Sequence, residues 1–273
     1  MLVGSGPSEL KLGSTTVTGV RRGTGLIYDS DVAAFQKASG AAQVGPLLAL
    51  VDYLKSQSLW DYARFYPMKS AQNAGSGSTV YGLGGLTSNN MTLINSPTWG
   101  SDGVTFAAAS SQYAKAADFI DGGDLSVFHK GSITATGVQA FAQWSGTDAQ
   151  RSFLVGRHTT GHVRIHMSSE GSSSVSYIGD QYGTSIVTLV VTYPASGAPM
   201  LYREKVAEPL ALYTGTPTAQ RHNSTADVGI MAYENSDGTV SPTAPGKTVL
   251  TGFVLAALTA TQREAITDLI NAL

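Results

Sequence analysis

The chain has 273 residues with 42% hydrophobic content, enough for one large core or two unequal domains. Only 13% of residues are charged, against roughly 25% in an average soluble domain, and Gly is abundant at 31 residues, which excludes a long helical bundle or coiled coil and favours turn-rich β-structure. The net charge is −2 with no basic stripe denser than Arg21-Arg22, and cysteine is absent, so phosphate-neutralising nucleic-acid binding lacks its footprint and disulfides, thiolate catalysis and Cys-based zinc sites are excluded.

In chain order, the N-terminus MLVGSGPSELKLG has no positive start and no apolar core, so it does not read as a signal peptide. The longest apolar runs, such as Ile186 to Val191 and Val249 to Leu258, are too short to span a membrane, and the expectation is a soluble chain made in the cytoplasm. A first region, Met1 to about Tyr28, contains Glu9-Leu10-Lys11-Leu12, then Gly13-Ser14, then Thr15-Thr16-Val17-Thr18, which predicts a small hairpin. Such a hairpin is too small to fold alone and must lean on the rest of the chain or on a neighbouring subunit.

A second region runs from Asp29 to about Tyr66. Ser30 or Asp31 is expected to cap a helix starting near Val32, with Val32, Phe35 and Ala38 at helical spacing. A second helix begins near Pro46, a favourable first-turn residue, and Leu47, Leu50, Val51 and Leu54 mark its apolar face. Leu59-Trp60 and Phe65-Tyr66 follow and Pro67 closes the segment, which reads as a packing element or as a docking surface. This places an attachment hairpin plus helical segment in residues 1–71 and the remainder in 72–273.

The third region opens with a Gly-Ser stretch at Gly75-Ser76-Gly77-Ser78. Short strand-like runs then alternate with turn residues: Met91–Ile94, Val104–Phe106, Leu125–Phe128, Gln139–Trp144, Ser152–Val155, His162–Met167, Ile186–Val191, Met200–Tyr202, Val228–Ala232 and Gly252–Leu255. This spacing predicts a sandwich or jelly roll. In His162–Met167 the alternation turns Val163, Ile165 and Met167 to the core and His162, Arg164 and His166 outward. At the end, Thr259 or Thr261 with Gln262 or Glu264 three residues on resembles a capping box, and Ile266, Leu269, Ile270 and Leu273 form a helical stripe.

The third region resembles the concanavalin A-like, laminin-G-type sandwich. The residues that carry this are Ser96-Pro97-Thr98-Trp99-Gly100-Ser101-Asp102-Gly103-Val104-Thr105-Phe106, Ser111-Gln112-Tyr113, Phe141-Ala142-Gln143-Trp144, Ile186 to Tyr193, Met200-Leu201-Tyr202-Arg203 and the terminal Leu258 to Ile266. The first two regions resemble the leader of phage virion proteins with such a sandwich, through Leu10 to Val20, Gly25 to Val32 and the helices reaching Leu59-Trp60-Asp61. The resemblance implies a mainly β, concanavalin A-like jelly-roll sandwich with an N-terminal hairpin, a helical leader and a short C-terminal helix. It further implies a non-catalytic virion structural protein, in the tail, fibre or capsid decoration, with other virion proteins as partners, a homotrimer as the favoured assembly and a cell-surface glycan as ligand. A free carbohydrate-binding lectin and a polysaccharide-cleaving enzyme of the same fold are the alternatives.

The candidate chemistry is sparse. Asp118, Asp121 and Asp124 around Gly122-Gly123 offer oxygen ligands for Ca²⁺, although the spacing is not that of an EF-hand, and a solvated acidic turn is the plainer expectation. Glycosidases need two carboxyls facing one bond. Glu204 and Glu208 share a face if the segment is a strand, and Glu234 and Asp237 sit in a loop-like run, but solvated loop carboxylates are the expectation for both pairs. His158, His162 and His166 are spaced by four, yet on a strand His162 and His166 lie about 13 Å apart, too far for one metal. Sugar binding needs an aromatic platform, for which Trp144, Tyr177, Tyr182 and Tyr233 are candidates, each equally suited to the core.

Overall fold

The computed structural model describes residues 10–12, 15–22, 25–86, 89–120, 123–144, 151–167, 175–195, 197–215, 227–232 and 244–273. The chain opens with two antiparallel hairpins, β1 (Leu10–Leu12) with β2 (Thr15–Val17) and β3 (Gly19–Arg22) with β4 (Gly25–Asp29). The first is the hairpin predicted from sequence, with Leu10 opposite Val17 and Leu12 opposite Thr15. Helices α1 (Ser30–Ser39) and α2 (Gly45–Ser56) follow. The cap of α1 is Asp29, not Ser30 or Asp31: its carboxylate accepts the backbone N–H groups of Asp31 and Val32 and also pairs with Lys55 of α2 at 2.7 Å.

The remaining strands are β5 (Ala63–Pro67), β6 (Thr79–Val80), β7 (Met91–Ile94), β8 (Thr98–Gly100), β9 (Gly103–Phe106), β10 (Tyr113–Ala116) and β11 (Leu125–Ile133). Then come β12 (Val138–Trp144), β13 (Arg151–Arg157), β14 (His162–Met167), β15 (Val175–Gln181), β16 (Val187–Tyr193), β17 (Met200–Arg203), β18 (Val206–Glu208), β19 (Ala211–Thr214), β20 (Val228–Ile230) and β21 (Gly246–Val254). Helix α3 (Ala260–Asn271) closes the fold, with Thr259 and Gln262 forming the predicted capping box.

Two antiparallel sheets stack as a jelly-roll sandwich. One has nine strands in the order β19-β15-β14-β13-β12-β20-β10-β7-β6. The other has eight: β18-β17-β16-β11-β21-β9-β8, with β5 also paired to β21. Between the sheets lies the main core, including Val127, Phe141, Phe153, Ile165, Val191 and Phe253. On the far side of the eight-stranded sheet lies a second core. There Phe128, Val190, Leu250 and Val254 meet Leu47, Leu50, Val51 and Leu54 of α2 and Ile266 and Ile270 of α3. The molecule therefore has three layers: sheet, sheet, helices.

Strand β5 joins the helical segment to the sandwich. Residues Phe65 and Tyr66, which close the helical segment in the sequence reading, sit in the sandwich sheet opposite Gly252 and Thr251. Phe65 points into the helix-side core and packs 6.2 Å from Phe128. A Cβ on Gly252 would lie 2.1 Å from the Phe65 ring, so the glycine makes the room that this ring fills. Asn73 fixes the chain leaving β5: its buried amide donates to the carbonyls of Pro67 and Tyr81 and accepts the N–H groups of Ala74 and Tyr81.

Because Leu50 is fully buried between α2 and the sheet, Leu50→Ala should lower unfolding stability by about 2–5 kcal/mol through lost burial and a residual cavity, measured by urea denaturation.

The inter-sheet core also holds one imidazole. His129 of β11 is fully buried, its Nδ1 lies 3.0 Å from Thr251 Oγ1, and its ring packs 5.4 Å from Phe141. Its Nε2 has no hydrogen-bond partner among the described residues, and a side chain on Gly131 would strike that atom. Loss of hydration pushes the imidazole down to about 3, so it folds neutral. The unfolded chain takes up a proton at this residue below about pH 6.5 while the folded chain does not, so stability is retained above that pH and lost as pH falls from there toward 3. Between pH 6.5 and 5 the unfolding free energy should fall with a slope approaching 1.4 kcal/mol per pH unit, roughly, from this residue, and His129→Gln should remove that part of the slope. Chemical denaturation at a series of pH values reads both.

Candidate functional site

The helices cover one sheet and the sandwich core covers the inner face of the other. What remains is the outer face of the nine-stranded sheet. Register places Ala142, Leu154, His166, Ser176 and Thr214 in one row across β12, β13, β14, β15 and β19. Ala142 and Leu154 are buried there as a small cluster of their own. Polar groups gather toward the β19 end of the face. Strand β14 alternates as predicted, with Val163, Ile165 and Met167 in the core and His162, Arg164 and His166 on the outer side.

A bulge sets the aromatic component. Ser176 pairs with Thr214 and Tyr177 with Leu212, so Tyr213 is the extra residue of β19, and its ring stands half-exposed. The Arg164 guanidinium lies 5.6 Å from the centre of that ring and His158 meets it edge-on at 5.0 Å. Arg164 also donates to Ser176 Oγ at 3.4 Å, and Ser176 Oγ lies 2.9 Å from His166 Nδ1. On the other flank, Thr160 Oγ1 bridges His158 Nδ1 at 2.8 Å and His162 Nδ1 at 2.9 Å. The Thr160 N–H donates to the same His158 nitrogen, so His158 Nδ1 is held as an acceptor.

The electrostatics of this cluster have one sign. Burial lowers Arg164 from the usual arginine range, and among the described residues it has no carboxylate partner. His158 is lowered by desolvation first, then by the positive Arg164 and by His162. The arrangement offers an aromatic face, a guanidinium, imidazoles and hydroxyls within a few ångströms of one another, a donor-rich platform suited to a ring with oxygen substituents.

The residues proposed from sequence are placed elsewhere. Tyr177 and Tyr182 both belong to the inter-sheet core, with 5% and 1% of their surface exposed, so neither ring presents a platform. Tyr177 does line a cleft at the open edge of the sandwich, with Pro199, Met200, Leu201, Glu208 and Leu210. Trp144 ends β12, where only the backbone is described, and Tyr233 lies outside the described residues. Asp118 accepts the Ile120 N–H and Asp124 the Ala195 N–H, while Asp121 lies outside the described residues. Among the described residues no group of three or more His, Asp or Glu side chains gathers as a metal site would require.

Glu204 is exposed, as expected of a solvated turn carboxylate, but it and Glu208 also make contacts within the fold. Glu204, in the two-residue turn between β17 and β18, accepts the Thr188 N–H at 2.7 Å and the Asn271 amide at 2.6 Å. Glu208 is nearly buried and pairs with Arg203 at 2.5 Å. Burial raises its carboxyl above the usual range, against the pull of Arg203. Glu234 and Asp237 lie outside the described residues.

No family model matches the sequence, and no curated protein matches it. Solved structures do. The botulinum neurotoxin serotype D ligand binding domain, in complex with N-acetylneuraminic acid, superposes with a TM-score of 0.56 at 9% identity, over 78% of this chain and 52% of that one. The binding domain of Paraclostridial mosquitocidal protein 1 gives 0.54 at 8% identity, over 77% and 52%. Trypanosoma rangeli sialidase in complex with 2,3-difluoro-KDN gives 0.54 at 10% identity, over 76% and 33%. The likeness is one of fold: this chain shares a β-sandwich architecture with part of each of these proteins and spans about half the length of the two binding domains.

Tyr213 and Arg164 were not singled out as site residues from sequence. A signal was present, since Ala211-Leu212-Tyr213-Thr214 is a short strand-forming run just after Pro209. The bulge that turns its tyrosine outward depends on a partner strand more than thirty residues earlier. Replacing Arg164 with Gln removes a positive neighbour, so the His158 titration should move up toward the ordinary histidine value, read from its ring proton shifts in an NMR pH series.

Proposed function

We propose that the chain is a non-catalytic glycan-binding module whose ligand sits on the outer face of the nine-stranded sheet, against Tyr213. The observation that carries this is the half-exposed Tyr213 ring flanked by Arg164 and His158, with Ser176 and His166 beside them. An aromatic ring stacks on the apolar face of a sugar, and the surrounding donors take its hydroxyls. The positive sign of the cluster favours a sugar that carries a carboxylate, since a guanidinium recognises that group in bidentate fashion. Two of the similar structures are complexes with acidic sugars, which supports the same class of ligand.

The finer reading is a phage virion component, in tail, fibre or capsid decoration, that presents this sandwich outward and attaches through residues 1–71, as a homotrimer and beside other virion proteins. It rests on the resemblance of Leu10 to Val20 and Gly25 to Val32 to virion leader segments.

Isothermal titration with a sialylated trisaccharide and with lactose tests the glycan reading. The sialylated sugar should bind more tightly than lactose. Tyr213→Ala and Arg164→Gln should each weaken it about tenfold or more, with the fold intact by circular dichroism. Unchanged affinity in both variants would remove this face as the site.

A further inference from the structure

A second site lies on the opposite side of the eight-stranded sheet. Under the first turn of α3 the helix layer lifts from the sheet and leaves a cleft of about 100 Å³, open to solvent on one side. Its walls include Asp124, Ser126, Thr192, Met200, Leu258 and Arg263. Ser126 and Thr192 are cross-strand neighbours on β11 and β16, and Met200 sits opposite Thr192 on β17. The floor is therefore a polar break in a face that continues through Phe128 and Val190 as the apolar helix-side core.

Two polar groups in this cleft are buried without the partners that burial demands. Arg263 is 8% exposed, stacks 3.6 Å over the Tyr202 ring, and its Nε has no hydrogen-bond partner among the described residues. Its nearest carboxylate is the half-exposed Glu264, at 3.9 Å. Thr192, 9% exposed, has an Oγ1 that is likewise unpartnered among the described residues. The contrast with Arg64 is informative. Arg64 is as deeply buried, at 5%, and its guanidinium makes three hydrogen bonds to the carbonyls of Gly84 and Asn89. The fold can satisfy a buried guanidinium with its own backbone, and among the described residues it does not do so at Arg263 Nε.

Buried charge is retained where something neutralises it. A guanidinium stacked on a tyrosine, beside a free hydroxyl and an open cleft, fits a carboxylate of a small molecule. Asp124 lines the same cleft, and its Oδ1 already accepts the Ala195 N–H. A second negative charge would be repelled there, whereas a hydroxyl or ammonium donor has the other oxygen to meet. We propose that this cleft binds a small monocarboxylate that also carries a hydrogen-bond donor, a hydroxy acid or an amino acid. The carboxylate sits on Arg263 and Thr192 and the donor on Asp124. This site is separate from the sugar face and does not depend on it.

The test uses glycolate as probe and glycolamide as its neutral counterpart, with the full chain labelled with ¹⁵N. Glycolate across the millimolar range should move the Arg263 Nε–Hε signal and the amides of Ser126 and Thr192 in a saturable way, and glycolamide should not. Thr192→Val keeps the side-chain shape and should weaken glycolate about tenfold, the worth of a hydrogen bond to a charged group. Arg263→Gln should abolish the response. Thr192→Val keeps the test decisive if Arg263→Gln unfolds the chain. The proposal is overturned if glycolate produces no saturable shift at these residues, if glycolamide matches it, or if Thr192→Val leaves the affinity unchanged.

Discussion

Burial of the eight-stranded sheet on both faces governs the rest of this structure. Its central strands carry apolar side chains in both directions. On β11, Val127 faces the other sheet and Phe128 faces the helices; on β16, Val191 and Val190 divide in the same way. A sheet with two apolar faces needs two covers. The nine-stranded sheet supplies one. Helices α1, α2 and α3 supply the other, from opposite ends of the sequence. The N-terminal helices are thus part of the sandwich's own energetics, and β5 ties them in by pairing with β21. With that arrangement fixed, the outer side of the nine-stranded sheet is the large sheet face that the two cores leave over.

Sequence alone shows much of this where a strand has one wet face. In β14 the alternation is strict, and both its limits and its facing agree with the structure. The helices are equally legible, because capping and spacing are local signals: Pro46 sits in the first turn of α2, and Thr259 with Gln262 opens α3. Strand β5 is the instructive loss. Ala63-Arg64-Phe65-Tyr66-Pro67 contains a charge and a proline and follows a helix, yet every residue in it is buried. It becomes a strand because β21, nearly two hundred residues later, offers it an edge, a glycine at the right register and a chamber for Phe65. No local pattern carries that information.

The same limit applies to the site. Four aromatic residues were candidates from sequence, and the two whose side chains are described, Tyr177 and Tyr182, fill the core. The half-exposed ring belongs to Tyr213, which sits one extra residue into a bulge. Whether a tyrosine faces solvent or core is decided by the parity of its register, and one inserted residue reverses that parity. The histidines behaved differently because the register shift between β14 and β15 places its extra residue on β15, so His162 and His166 keep the outward facing that their alternation requires. Identities of 8 to 10% with the structures that share the fold point the same way. The sandwich is common property, and the side chains on its outer face belong to this chain.

The choice between binding and cleavage turns on where the carboxylates are spent. Hydrolysis of a glycosidic bond requires two carboxyl groups free to flank it, one able to hold a proton and one able to act as base or nucleophile. Glu204 and Glu208 had the spacing for such a pair only if their segment ran straight. The segment instead reverses between them: Glu204 and Lys205 take up positive φ, of 46° and 81°, and form the turn. Glu204 then holds Thr188 and Asn271 together, linking the sheet to the end of α3, and Glu208 is committed to Arg203. Both acids therefore stabilise the packing of the edge strands. Among the described residues, the polar cluster around Tyr213 is built from a guanidinium, imidazoles and hydroxyls, groups that donate to or stack on a ligand. On the reading proposed above, such a surface retains a sugar by stacking and hydrogen bonding, and the Arg164 guanidinium favours sugars that bring a negative charge.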